Sequence, residues 1–151
     1  MKSKILGILM LTVVLLMFVG CELYGNKDLG NKITLWARDS AEGQFDLVYC
    51  GSSDIGGCIS GIYMLPENQY DKYTMYVETA KSNDKWVIAR SVNINDQSKN
   101  YWIIDKNFSL DDVDCNKSRC DSIIQLNVAG AFDLKDFKIR KQELDINLKF
   151  D

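Results

Sequence analysis

Histidine is absent from all 151 residues. That excludes Ser-His and Cys-His catalytic pairs and His-ligated zinc sites, and it removes the commonest acid–base group near neutral pH. A basic stripe is also lacking. With 18 Lys and Arg against 21 Asp and Glu, the net charge is −3. Phosphate backbones need clustered cations, so nucleic acid is a poor partner. There is no internal repeat and no low-complexity segment. The single long apolar run, Ile5 to Val19, is shorter than the roughly 20 residues of a spanning helix and has no basic stop-transfer flank.

What brackets that run is informative. Lys2 and Lys4 precede it, and Phe18-Val19-Gly20-Cys21 closes it. The order resembles a bacterial lipoprotein signal peptide with its lipobox, although Phe18 stands where Leu is most common. The resemblance implies cleavage before Cys21, a diacylglycerol on its sulfur, acyl chains such as palmitate, and attachment to a membrane through that lipid. Residues 1–20 are then a cleaved leader, 21–31 a lipidated cysteine with a polar tether, and 32–151 a single globular domain. Loss of Lys2 and Lys4 shifts the net charge to −5. Export places the domain in the cell envelope. If two membranes are present, the periplasmic side of the outer membrane is favoured, because Glu22 is a weak substitute for an Asp retention signal.

Of five cysteines, Cys21 is assigned to lipid. Cys50, Cys58, Cys115 and Cys120 form an even set in an oxidising space, which favours disulfides. Three connectivities are open. The local pairs Cys50–Cys58 and Cys115–Cys120 are expected, because each encloses a polar or Gly-rich loop. The spacings do not fit paired C-x2-C metal knuckles.

Alternation of apolar residues marks strands at 32–39, 44–50, 59–65, 70–79, 85–92, 100–105 and 122–128, with Pro66 punctuating the third. Ile146 to Phe150 is a candidate terminal strand. Two capping patterns predict helices. Ser109 as N-cap, with Phe108 and Val113 as a staple, predicts a short helix near 110–115. Asp133 as N-cap, with Phe132 and Phe137 as a staple, predicts a C-terminal helix over 134–144 with Leu134, Phe137 and Leu144 on its buried face. The fold class is α+β: an antiparallel β-meander of about 6–7 strands with two helices.

Residues 85–92 (KWVIARSV), 100–106 (NYWIIDK), Ala129-Gly130-Ala131-Phe132 and 134–150 come in an order that resembles a family of small bacterial lipoproteins of unknown function. That family has a "kyIIAK" strand, a "YWIID" strand, a "GPL" turn and an "EEFxxKRKELxV" helix. Gly130-Ala131-Phe132 stands here for its Gly-Pro-Leu. The resemblance implies fold and compartment and carries no catalytic residues.

Four constellations are candidate sites. Asp112, Asp114 and Asn116 match the opening of a calcium loop, but Lys117 replaces its Gly and Ile123 its closing Glu. Gly51 to Gly57 lacks the lysine and following helix of a phosphate loop. Glu67, Asp71 and Glu78 are candidate acids for a carboxylate hydrolase, but 21 acids make any pair weakly specific. Tyr63, Tyr70, Tyr73, Tyr76, Trp86, Tyr101 and Trp102 form an aromatic series. Neighbours on a strand face opposite ways, so Tyr70, Tyr76, Trp86, Tyr101 and Trp102 are the candidates for an exposed protein-binding surface. No catalytic residue, metal or cofactor is assigned. The reading is a non-catalytic, lipid-anchored module that binds an envelope or extracellular protein. Its alternatives are an inhibitor or immunity lipoprotein against a hydrolase or toxin, and a small carboxylate-dependent hydrolase.

Overall fold

The computed structural model describes residues 25–150 apart from 40, 51–60, 68–70 and 116. The strands are β1 (Lys27–Asp28), β2 (Ile33–Ala37), β3 (Phe45–Cys50), β4 (Gly61–Leu65), β5 (Met75–Ser82), β6 (Trp86–Asn93), β7 (Lys99–Asp105) and β8 (Val128–Phe132). They form one eight-stranded sheet in the order β1-β2-β3-β5-β6-β7-β8, with β4 also on β3. Every pairing is antiparallel. Among the described residues the α-helices are α1 (Cys120–Gln125) and α2 (Leu134–Glu143). The antiparallel α+β class is as predicted. β1 lies within the stretch read as tether and pairs with β2, so the folded unit starts before residue 32.

Both faces of the sheet carry a core, the second one over β6, β7 and β8. On one, Ile33, Leu35, Leu47, Tyr49, Val77, Val87 and Ile104 meet Ile124 of α1. On the other, Trp86, Ile88, Tyr101 and Ile103 meet Phe137 of α2 and Ile146 beyond it. Each aliphatic side chain buried this way contributes at most about 1.5–3 kcal/mol. Two covered faces explain why β6 reads as a nearly continuous apolar run: Val87 and Ala89 serve one core, Trp86 and Ile88 the other.

α2 follows its predicted grammar. The Asp133 carboxylate accepts from the Asp136 amide at 2.8 Å, and Phe132 packs in the same core as Phe137. Leu134 departs from expectation: it is 47% exposed rather than on the buried face. The C-terminal segment 146–150 is irregular rather than a strand, and it lays Ile146 and Phe150 over the second core.

The two other departures lie side by side. Residues 110–115 form a turn, not a helix. The chain bends there so that Leu110 and Phe108 reach Tyr49, whose hydroxyl accepts from the Leu110 amide at 3.3 Å. The predicted strand at 122–128 is helical up to Gln125. Its β-branched residues signal a strand, but helical spacing brings Cys120 and Ile124 onto one buried face against the first core. The Gln125 amide then donates to the Met64 carbonyl of β4 at 3.2 Å. The Cys115–Cys120 disulfide closes the loop ahead of α1, with 5.4 Å between its Cα atoms, as predicted. Cys50 is disulfide-bonded as well, which excludes crossed pairing with Cys115 or Cys120. Its predicted partner Cys58 lies outside the described residues.

Lys106 ties distant parts together. It is buried, and its ammonium donates to the Leu29 carbonyl at 2.8 Å and the Asn83 carbonyl at 2.7 Å. Gly30, at φ +79°, leaves room for it, since a Cβ there would stand 2.8 Å from Nζ. Asn31 reinforces the joint by donating to the carbonyls of Lys106 and Phe108. Lys106→Met removes the donor to both carbonyls. Urea denaturation should show a loss of about 2–3 kcal/mol, and a loss below about 0.5 kcal/mol would mean that water replaces the ammonium.

Candidate functional site

Packing against the first core turns Leu35, Leu47 and Tyr49 inward. Strand alternation then sends Trp36 and Asp46, which are register partners, to the opposite face. Tyr63 of β4 lies beside Val48, and Tyr73 closes a 3-10 turn, Asp71–Tyr73, ahead of β5. Together with Arg38 and Asp39 these residues line a concavity of about 310 Å³.

Its floor is an ion pair. Arg38 Nε and Nη2 donate to Asp46 Oδ1 at 2.8 and 2.5 Å, and Nη2 also donates to the Met75 carbonyl at 2.7 Å. The two side chains are only 10% and 12% exposed. The floor is therefore rigid and neutral as a unit. Its walls are amphipathic. Tyr73 is 73% exposed. Trp36 and Tyr63 are partly exposed, and neither the Trp36 indole N–H nor the Tyr63 hydroxyl has a hydrogen-bond partner among the described residues. Polar-tipped aromatic rings over a preorganised floor suit contact with another protein.

The aromatic surface expected from sequence is mostly not a surface. Trp86 and Tyr101 are each 9% exposed and lie in the second core, where the Tyr101 ring stacks on Phe137 at 5.0 Å. Trp102 points into the first core, and its indole donates to the Ser91 hydroxyl at 2.8 Å. The physical reason is the cover: α2 and the C-terminal segment shield the face that a one-sided sheet would leave open. Tyr76 is partly buried, and Tyr70 lies outside the described residues. Tyr63 and Tyr73 were legible as aromatics but not as neighbours. Trp36 was missed, although its signal was present: it is the out-of-phase aromatic in the strand ITLWA.

The candidate acids are not assembled. Glu78 is committed to Arg90 at 2.5 Å and to Lys99 at 3.4 Å, and Arg90 also lies over the Phe150 ring. Glu67 is exposed on another loop. Carboxyl groups with displaced pKa values move down, the direction opposite to that of a general acid. The Lys32 ammonium lowers Asp111, the Ser98 hydroxyl lowers Asp96, and the Ser122 amide followed by Arg119 lowers Asp121. Asp114 of the calcium-like run pairs with Lys117, and Asn116 lies outside the described residues. Among the described residues no group of three or more His, Cys, Asp or Glu is placed to hold a metal, and no helix is long and apolar enough to cross a membrane. Cys21 and the loop 51–57 lie outside the described residues. No protein-family model, curated protein or solved structure matches the chain.

Proposed function

We propose that this chain is a non-catalytic, lipid-anchored protein of the bacterial cell envelope that binds another envelope or extracellular protein through the Trp36–Tyr63–Tyr73 concavity. The carrying observation is the concavity itself: three solvent-accessible aromatic side chains over a buried Arg38–Asp46 pair. The leader with its Gly20-Cys21 junction supports the anchor, and the Cys115–Cys120 disulfide supports an oxidising compartment. The resemblance of residues 85–92, 100–106, 129–132 and 134–150 to small lipoproteins supports the same address. Two membranes, if present, would put the domain on the periplasmic side of the outer one.

The test is photo-crosslinking in cells from position 73, with parallel capture by the tagged full chain. A discrete partner should be recovered by the native chain. Trp36→Ala with Tyr73→Ala should reduce its recovery about tenfold or more, since central aromatic anchors are commonly each worth about 1–2 kcal/mol or more. Equal recovery would remove the concavity from the reading. Metabolic labelling with an alkyne fatty acid should mark the native chain and leave Cys21→Ala unlabelled. Label retained in that variant would overturn the anchor.

A further inference from the structure

A second surface stands at the β7–β8 end of the sheet, away from the concavity on β2–β4. The side of α2 facing the C-terminal segment, together with residues 145–150, forms a groove of about 560 Å³. Phe137, Ile146 and Phe150 build its floor, and the exposed Leu134 stands at one end. Lys138, Lys141 and Lys149 stand around it, with Asp145 as the one acid of the lining.

The charges on α2 are sorted. Lys135, Lys138 and Lys141 recur at three-residue spacing along one flank, while Asp136 and Glu143 fall on the other, where Glu143 pairs with Arg140. Lys138 and Lys149 are exposed and make no ion pair among the described residues. The Lys141 ammonium caps the Leu148 carbonyl. Burial, and then the like charge of Lys149, hold Lys141 below the ordinary lysine range. In a chain of net charge −3, this is an apolar-floored groove with a local surplus of cations, three lysines against Asp145.

We infer that this groove docks an acidic segment of a partner protein that inserts one aromatic or large aliphatic side chain. Concavity favours this occupant over a membrane surface. A flat array of headgroups would meet the lysines but leave the apolar floor empty, whereas a peptide can fill the floor and place carboxylates at Lys138 and Lys149. The inference is independent of the aromatic concavity, since the two sites share no residue.

The test uses the full chain in nonionic detergent and a fluorescent peptide of glutamates flanking a central phenylalanine. Binding with a Kd of about 100 μM or tighter at about 0.15 M salt is expected. Lys138→Glu with Lys149→Glu should weaken it about tenfold or more, and so should glycine in place of the peptide's phenylalanine. Both lysines are exposed, so the fold should survive. If it does not, Lys138→Gln with Lys149→Gln provides the same reading. Absence of binding, equal affinity in the variants, or binding indifferent to the phenylalanine would overturn the inference. Capture by phosphatidylglycerol vesicles that needs Lys138 and Lys149, with no peptide binding, would overturn it in favour of a membrane.

Discussion

Gly130→Ala should lower the stability of the domain by about 2–3 kcal/mol, or roughly 10 °C in Tm. A Cβ at this position would stand 2.3 Å from Trp102 Cε3 and 2.7 Å from Cδ2. The ring has little freedom to withdraw, because its indole N–H is held by Ser91 and its body packs in the first core. β8 would have to move away from β7, where its register already shifts between Tyr101 and Ile103. Thermal unfolding measures the loss. A double-mutant cycle identifies its cause: with Trp102→Leu in the background, the alanine should be far less harmful. A full penalty in that background would place the strain in the backbone of β8 instead of at the ring.

Asp46→Ala should be the more damaging change, at about 3–5 kcal/mol, because it takes the Asp46 carboxylate away from the buried Arg38 guanidinium. The location compounds the loss. The joint between β3 and β5 rests on the register pair Phe45–Val77, and Arg38 braces it by reaching the Met75 carbonyl at 2.7 Å. Without Asp46 to orient the guanidinium, amide exchange at the start of β5 should quicken more than in β6 or β7. Arg38→Met with Asp46→Leu removes both charges and should recover most of the stability, as paired apolar replacements of buried ion pairs often do. Chemical denaturation of the three proteins decides the matter. A penalty below about 1 kcal/mol for Asp46→Ala would show that solvent screens the pair.

Legibility in the sequence followed the range of the interaction. Features set by a few neighbouring residues could be read directly. The Asp133 cap and the Phe132–Phe137 staple marked α2, and the short polar loop between Cys115 and Cys120 favoured pairing them. Alternation located the main strands of the meander, from KITLWARD to NYWIID. Where two local signals competed, packing chose between them. Ser109 resembled a cap, but Leu110 and Phe108 are drawn onto Tyr49 and the segment turns instead. SIIQLNV resembled a strand, but Ile124 is fully buried only because the chain coils there.

The candidate site shows the same division. That Trp36 lies out of phase with Ile33 and Leu35 follows from strand geometry alone. That it meets Tyr63, Tyr73 and the Arg38–Asp46 pair depends on how β3 shares one edge between β4 and β5, which no local pattern encodes. By itself, the sequence determined the apolar faces of the strands, the second helix with its cap, and the local disulfide, because each depends on residues a few positions apart. Only the tertiary structure decided which aromatics are exposed. Tyr101 and Trp102 point to opposite faces, as strand geometry requires, yet both take part in cores because α1 and the first-core loops cover one face while α2 and residues 146–150 cover the other. Exposure is a property of what lies above a residue, and for these strands that cover comes from distant stretches of the chain.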